Sequence, residues 1–167
     1  MRSSRIFFGI APAMLLAATS TACWAATATT TFNVQITITN ACTIVSATNL
    51  TFGSVGVIGA AGIDSTSTIT VQCTSLAPYN VGLSAGIGSG ATVGSRFMTS
   101  AASNTLGYSL YQDAAHSLVW GETIGTDTVA GTGTGASQAL TVYGRVPSQA
   151  TPPAAVYNDT VTATVTY

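Results

Sequence analysis

The segment TTTFNVQITIT at residues 29–39 alternates between polar and apolar side chains. In an extended chain Phe32, Val34, Ile36 and Ile38 lie on one face, and the polar residues between them lie on the other. This period of two residues is that of a β-strand, because successive side chains point to opposite faces of a sheet. The segment therefore predicts a half-buried strand and not an amphipathic helix.

The rest of the chain reads as further short strands separated by turns. Runs rich in threonine, valine and other β-formers recur at fairly even spacing, with glycine-rich turns at 53–62 and 86–94. A hairpin turn is expected at 113–116 and a flexible loop at 125–135. The predicted strands cover residues 43–45, 49–52, 66–73, 79–84, 105–112, 117–120, 138–146 and 157–167. No segment has a helical period, so the pattern predicts an all-β sandwich.

Residues 1–25 are typical of a cleaved secretory signal peptide. Arg2 and Arg5 precede an apolar run at 6–18, and Cys23-Trp24-Ala25 places small residues at the −3 and −1 positions. The apolar run is interrupted by a proline and is shorter than the roughly 20 residues that a membrane span needs. We therefore expect export, with a mature chain that begins at Ala26.

The mature chain carries little charge. Charged residues make up 5% of the sequence, which has no lysine, against about 25% in an ordinary soluble domain. After cleavage two arginines and five acidic residues remain, a formal net charge of −3. Binding to nucleic acid depends on many basic side chains that neutralise phosphates, so this class of partner is excluded.

The cysteines predict a single disulfide. Removal of Cys23 with the signal peptide leaves Cys42 and Cys73, and an exported protein meets an oxidising compartment. Two buried thiols are the alternative. Neither cysteine has a CxxC partner or a nearby histidine, so the sequence offers no metal site and no redox site.

The sequence offers no catalytic or cofactor-binding residues, and we expect a protein that is not an enzyme. His116, the one histidine, falls in the expected hairpin turn and is interpreted as an exposed polar residue. The acidic residues are scattered, and Asp159 is interpreted as a turn or strand-entry residue. Trp120, Tyr108 and Tyr111 could form a sugar-stacking platform, but aromatic residues in alternating strands are more often core.

Several stretches, taken in order, resemble the spore coat protein U domain family, which includes subunits of archaic chaperone-usher pili. Each motif is weak by itself, but together with the two cysteines they span nearly the whole mature chain. The matching stretches are FNVQITITNACTI at 32–44, LTFGSVGV at 50–57, ITVQCT at 69–74, YNVGLSAG at 79–86, LGYSLYQD at 106–113, VWG at 119–121, VYGRVPSQ at 142–149 and YNDTVTATVTY at 157–167.

This resemblance implies an immunoglobulin-like β-sandwich that lacks a strand and is completed by a strand donated from another subunit. The implied division is a signal peptide at 1–25, a donor-strand segment at 26–40 and a pilin domain at 41–167. The implied donor side chains are Phe32, Val34, Ile36 and Ile38. The implied partners are a periplasmic chaperone, an outer-membrane usher and copies of the chain itself or related pilins, with passage through the periplasm to a pilus on the cell surface.

Three alternatives stay open at this point. Residues 29–39 could pair within their own chain as the first strand of a complete, monomeric sandwich. The protein could be a monomeric or tip-located adhesin, or it could form a spore or cyst coat with the same domain. A pilus subunit that contributes to surface attachment and biofilm formation is the function that the resemblance favours.

Overall fold

The computed structural model describes residues 23–167. Residues 1–22, which hold most of the predicted signal peptide, lie outside the described part of the chain. The chain divides into two units, Met1–Ile36 and Thr37–Tyr167. In the first unit the described residues, 23–36, form neither strand nor helix. No residue from 23 to 167 is helical, so this part of the chain contains no helix that could span a membrane.

The strands described between residues 23 and 167 all belong to the second unit. They are β1 (Cys42–Ala47), β2 (Ile63–Cys73), β3 (Pro78–Leu83), β4 (Arg96–Thr99), β5 (Thr105–Tyr111), β6 (Val129–Thr132), β7 (Ser137–Val146) and β8 (Ala163–Thr166). One sheet has the order β1-β2-β7-β5-β4 and the other the order β6-β3-β8. Every pairing is antiparallel. The prediction of an all-β, two-sheet sandwich is confirmed.

The core lies between the inner faces of the two sheets. Alternate residues of β2 and β7 point inward from the larger sheet, as the pleat requires, and meet those of β3 in the smaller sheet. Trp120 is 1% exposed, and its Nε1 donates a 2.8 Å hydrogen bond to the backbone oxygen of Val81. The buried apolar residues are Ile58, Ile69, Val71, Cys73, Ala77, Tyr79, Val81, Leu83, Tyr108, Leu110, Trp120, Val142 and Val146. The prediction from the sequence that Trp120 and Tyr108 are core residues is confirmed.

The glycine-rich stretch 125–135 is not simply a flexible loop. It contains β6, which pairs with β3 along Val129–Thr132. A Cβ atom on Gly131 would collide with the ring of Tyr79, and one on Gly133 would collide with the backbone oxygen of Thr74. Glycine is used here for close approach of chain segments, so a pattern that suggested flexibility belongs to a tightly packed strand.

Three other strand predictions need correction. Residues 49–52 form no strand, although Leu50 and Phe52 pack against the core. The stretch 117–120 contributes only an isolated bridge between Val119 and Tyr111. The predicted strand 157–167 is shortened to β8, because Asn158 forms an isolated bridge with Thr99 before β8 begins.

Candidate functional site: the open edges of β1 and β8

β8 is an edge strand with one ladder. It pairs with β3 from Leu83↔Ala163 to Asn80↔Thr166, and the backbone N–H of Ser84 donates to the oxygen of Thr162 at 2.9 Å. In an antiparallel ladder the backbone groups of alternate residues point to the same side. Residues 162, 164 and 166 therefore face β3, and the backbone groups of Val161, Ala163 and Val165 face away from it, where no strand among residues 23–167 pairs with them.

β1 is the corresponding edge of the larger sheet. Its residues pair with β2, and the N–H of Thr74 donates to the oxygen of Ala41 at 2.9 Å. By the same alternation, the backbone groups of Cys42 and Ile44 point away from β2. A β-bulge follows between Ile44 and Ser46. β1 thus offers a second row of hydrogen-bonding groups that the described strands leave open.

A disulfide holds β1 onto β2. Cys42 and Cys73 are directly opposite each other in the ladder, with a Cα–Cα distance of 4.1 Å and an S–S bond of 2.05 Å. Such short Cα separations are typical of the non-hydrogen-bonded pairs of an antiparallel ladder, in which side chains come closest. The bond covalently fixes the edge strand at the point where the N-terminal segment enters the sandwich.

β1 and β8 contact each other, so the two open edges lie along the same side of the sandwich. We call this pair of edges the open seam. Half-buried apolar side chains that pack against the core lie along it: Cys42, Ile44, Val161, Ala163 and Val165. The open seam therefore combines unpaired backbone groups with apolar side chains, the two features by which a sheet edge binds an additional strand.

The alternating segment carries unburied apolar side chains. Phe32 is 84% exposed, Val34 86%, Ile36 82% and Ile38 70%. Residues 23–41 contain no strand, so the sequence expectation of a half-buried strand at 29–39 is not met in this structure. A strand is defined by its hydrogen-bonded neighbour, and the alternation of side chains does not supply one. Four large apolar residues on one face remain without cover, which is costly in water.

A buried arginine organises the end of β3. Arg96, the first residue of β4, is fully buried, and its guanidinium donates to four backbone oxygens. The acceptors are those of Ser84 (2.8 Å), Val93 (2.7 Å), Leu83 (2.9 Å) and Trp120 (2.8 Å). Burial lowers the pKa of Arg96, because the charged form is desolvated, while nearby Tyr108 and Asp159 act in the opposite direction.

Asp159 lies four residues before β8 and binds three donors. Its Oδ1 accepts hydrogen bonds from the N–H groups of Ile87 (2.8 Å) and Thr160 (2.7 Å). Its Oδ2 accepts one from the hydroxyl of Tyr108 at 2.6 Å. Gly86 makes this approach possible, since a Cβ atom there would collide with the carboxylate. Burial and the bond to Asp159 raise the pKa of Tyr108 above its ordinary value.

Sequence reasoning missed the roles of Arg96 and Asp159. Arg96 lay in a stretch for which no strand was predicted, and Asp159 was interpreted as a turn or strand-entry residue. One signal was available for Arg96: it is one of only two arginines that remain after the predicted cleavage, in a chain without lysine. A cation placed among apolar and small residues commonly has a structural partner.

His116 is not the exposed turn residue that the sequence suggested. Its side chain is only 9% exposed, and Nε2 lies 3.7 Å from Oδ1 of Asp64. The ring packs edge-on against Tyr111 at 5.1 Å and Tyr143 at 6.5 Å between centroids. Asp64 in turn accepts two 2.6 Å hydrogen bonds from the guanidinium of Arg145. Hydrogen bonding to Arg145 lowers the pKa of the Asp64 carboxyl. His116 thus fastens the 113–118 hairpin onto the outer face of the larger sheet.

Comparisons with known proteins agree with the fold. The model of the Spore Coat Protein U domain matches residues 28–164. The chain is 39% identical over 156 residues to Protein U of Myxococcus xanthus, which covers 86% of this chain and 87% of that protein.

A solved structure has the same fold. It is the CsuC–CsuE chaperone–tip adhesion subunit pre-assembly complex from the archaic chaperone-usher Csu pili of Acinetobacter baumannii, matched with a TM-score of 0.53 and 22% identity. The match covers 78% of this chain and 40% of that chain, so less than half of the neighbour's length is spanned. The family match extends over most of the chain and agrees with the resemblance noted from its motifs. This protein belongs to the Spore Coat Protein U domain family.

Proposed function

We propose that this protein is a structural subunit of a cell-surface pilus, in which residues 29–39 of one copy fill the open seam of the next. The observation that carries the proposal is that one chain holds both parts. It has an open seam with unpaired backbone groups, and it has an exposed segment in which Phe32, Val34, Ile36 and Ile38 alternate with polar residues.

The two parts complement each other chemically. A strand inserted in the seam pairs its backbone with the outward-facing groups of β8 and β1, and its apolar face covers the half-buried residues of the seam. Burying four such side chains at about 1.5 to 3 kcal/mol each gives a gross stabilisation of about 6 to 12 kcal/mol before the cost of ordering the segment. This is enough for slow dissociation.

The geometry of such a contact leads to a filament. The donor segment and the seam are different surfaces, so each copy gives a strand to one neighbour and receives a strand from another. A contact of this kind does not close on itself in a dimer. The low charge of the mature chain agrees with close packing of many copies.

An exposed segment and an open seam on the same chain also require protection before assembly, because open edges with apolar side chains aggregate. We therefore propose export through cleavage of residues 1–25, a periplasmic chaperone that covers the seam and an outer-membrane usher that exchanges the chaperone for the next subunit. The solved neighbour is a pre-assembly complex of a chaperone with a tip adhesion subunit from chaperone-usher pili, which supports a chaperone as a partner. Surface attachment and biofilm formation would follow from display of the pilus.

A spore or cyst coat is the second candidate. The 39% identity to Protein U and the name of the family favour it. The same strand donation would then link subunits within a layer and not along a pilus, so the contact proposed here is common to both candidates.

The test is assembly of purified mature chains that differ only in the donor segment. We expect Val34→Asp with Ile36→Asp to abolish fibres seen by electron microscopy and to leave monomers in sedimentation. The matched control is Asn33→Asp with Gln35→Asp, which adds the same charge to the polar face of the segment and should still form fibres. Fibres from the Val34/Ile36 variant at the parental yield would overturn the proposal.

A second variant tests the seam itself. Residues 29–39 appended after Tyr167 place a donor strand next to the end of β8 on the same chain. This variant should be a soluble monomer with a higher melting temperature than the parent. A variant that melts and assembles as the parent does would show that the seam takes no strand.

A further inference from the structure

β8, the strand of the open seam that would pair with a donor strand, should have low local stability by itself. β8 has four residues, and among the described strands it pairs with β3 alone. Tyr167, which follows it, is 60% exposed. Short edge strands open locally at low free energy. A donor strand can pair with β8 only when β8 is ordered. The fraction of molecules with β8 ordered therefore sets the association rate of the donor strand.

The structure anchors β8 at its other end. Asp159 receives the N–H of Ile87 and the hydroxyl of Tyr108, which belong to the loop after β3 and to β5 of the opposite sheet. Three residues later, the N–H of Thr162 donates to the Oγ of Ser84 at 2.9 Å. The residues that lead into β8 are therefore tied to both sheets before the ladder with β3 begins.

The partner strand is anchored at the same place. Leu83, the last residue of β3, and Ser84, which follows it, face the start of β8, and their backbone oxygens accept hydrogen bonds from the buried guanidinium of Arg96. The two anchors share Ser84, which receives Arg96 on its backbone oxygen and Thr162 on its hydroxyl. We call Ser84, Arg96, Tyr108 and Asp159 the β8 clamp.

From these contacts we infer that Asp159 is a positioning residue, which keeps the outer edge of β8 ordered and ready for a donor strand through its bonds to Tyr108 and Ile87. The inference rests on the proposed function, since it concerns how the same seam is prepared. When only a fraction of an acceptor is competent, its association rate falls by that fraction, while the bound complex dissociates as before. Loss of the clamp should therefore slow capture and leave release unchanged.

The experiment uses full-length mature chain whose own donor is disabled by Val34→Asp and Ile36→Asp, and a fluorescent synthetic peptide of residues 29–39. Stopped-flow and dissociation measurements give the two rate constants separately. In this background we expect Asp159→Asn to lower the association rate about tenfold, because asparagine has one acceptor oxygen where aspartate has two and cannot accept from both the Tyr108 hydroxyl and the N–H of Ile87. The dissociation rate should stay within about twofold of the parent.

The matched control is Asp113→Asn. Asp113 is also a carboxylate that accepts several bonds, from the N–H groups of Ser117 and Leu118 and from the hydroxyl of Ser117, but it lies in the hairpin turn before residue 118. This variant loses the same charge and disturbs a comparable turn. It should capture the peptide at the parental rate, which separates positioning of the seam from general loss of stability.

Tyr108→Phe provides a milder second variant in case Asp159→Asn folds poorly. It removes one hydroxyl and keeps the buried ring, and it should slow association about threefold. If the two residues act through their mutual bond, the double variant should be no slower than Asp159→Asn. Hydrogen exchange gives an independent measurement on the amides of Thr164 and Thr166, which face β3. These amides should exchange faster in the Asp159 variant than in the parent, and at the parental rate in the Asp113 variant.

The outcomes separate the two claims. If the parental acceptor does not bind the peptide, the proposed function is wrong. If the parental acceptor binds it and Asp159→Asn associates at the same rate, or if Asp113→Asn slows association equally, the positioning role of Asp159 is wrong and the proposed function stands.

Discussion

The guanidinium of Arg96 donates a 2.8 Å hydrogen bond to the backbone oxygen of Trp120, and both side chains are buried in the sandwich. The same guanidinium binds three further carbonyls, and its bonds to the oxygens of Leu83 and Trp120 are fully buried. A polar group left unpaired in such a place costs about 1 to 3 kcal/mol. Arg96 therefore acts as an internal connector of loops.

Replacing Arg96 with methionine should destabilise the fold by about 3 kcal/mol, since two buried and two partly buried carbonyls lose their donor together. The measurement is urea unfolding followed by circular dichroism. Arg145→Met is the matched control, because Arg145 pairs with Asp64 in a partly exposed position, where ion pairs contribute little. Equal losses for the two variants would contradict the connector role of Arg96.

Opening the disulfide should also weaken the fold. Cys42 and Cys73 are separated by 31 positions, and a cross-link that closes such a loop contributes about 3 to 4 kcal/mol in the chain-entropy model. We expect this loss in the Cys42→Ser, Cys73→Ser double variant, measured by urea unfolding. Adding reductant should lower the stability of the parent and not that of the variant. A parent insensitive to reductant would contradict this expectation.

Stability should fall at alkaline pH in a way that depends on Tyr108. Burial first, and the bond to Asp159 second, raise the pKa of Tyr108 above its ordinary value of 10.0, so the folded state holds the phenolic proton more tightly than the unfolded chain does. The contribution is complete below pH 10 and is lost as the pH rises above it, because the unfolded chain then releases the proton.

The measurement is the melting temperature from pH 8 to pH 12 for the parent and for Tyr108→Phe. The parent should lose stability above pH 10 more steeply than the variant, and absorbance at 295 nm should show the Tyr108 ionisation together with unfolding. Parallel curves for the two proteins would show that Tyr108 does not contribute to the pH dependence.

Gly133→Ala should destabilise the sandwich by about 1 to 3 kcal/mol, the usual cost of overpacking. A Cβ atom there meets the backbone oxygen of Thr74, which cannot move aside as a flexible side chain can. Gly94→Ala is the control, since a Cβ atom at Gly94 meets nothing within 4 Å. Thermal melting of both variants checks the difference, and a tolerated Gly133→Ala would mean that the β6–β7 connection can shift.

The periodicity of apolar residues predicted the strands that bury one apolar face. It missed β4 and β6, whose positions depend on a buried arginine and on closely packed glycines. β2, β3, β5 and β7 follow apolar spacing, so their positions were close to the expected ones. β4 begins with Arg96, and no hydrophobicity pattern identifies a strand whose inward residue is a cation that binds carbonyls. β6 lies in a glycine tract and was therefore not predicted as a strand. Glycine is needed there because the chain packs closely against Tyr79 and Thr74, which are distant in sequence.

The candidate site was predictable in part. The alternation at 29–39 is visible in the sequence, but the open edges of β1 and β8 depend on strand order, which local patterns do not contain. Asp159 reads as a turn residue until Tyr108 and Ile87 are seen beside it. His116 was misread for the same reason, since its neighbours Tyr143 and Asp64 come from strands on either side of it in sequence.

The position of the cystine has a mechanical consequence. Tension applied to residues 26–40 reaches Cys42 and passes through sulfur directly to Cys73 at the end of β2, so β1 and the loop after it are bypassed. β2 is paired with β7 from Ile63↔Val146 to Gln72↔Ser137, the longest ladder of the fold. The edge strand β1 therefore cannot be peeled from β2 one bond at a time by a pull on the N-terminal segment, and the load is passed to the strand with the most extensive pairing.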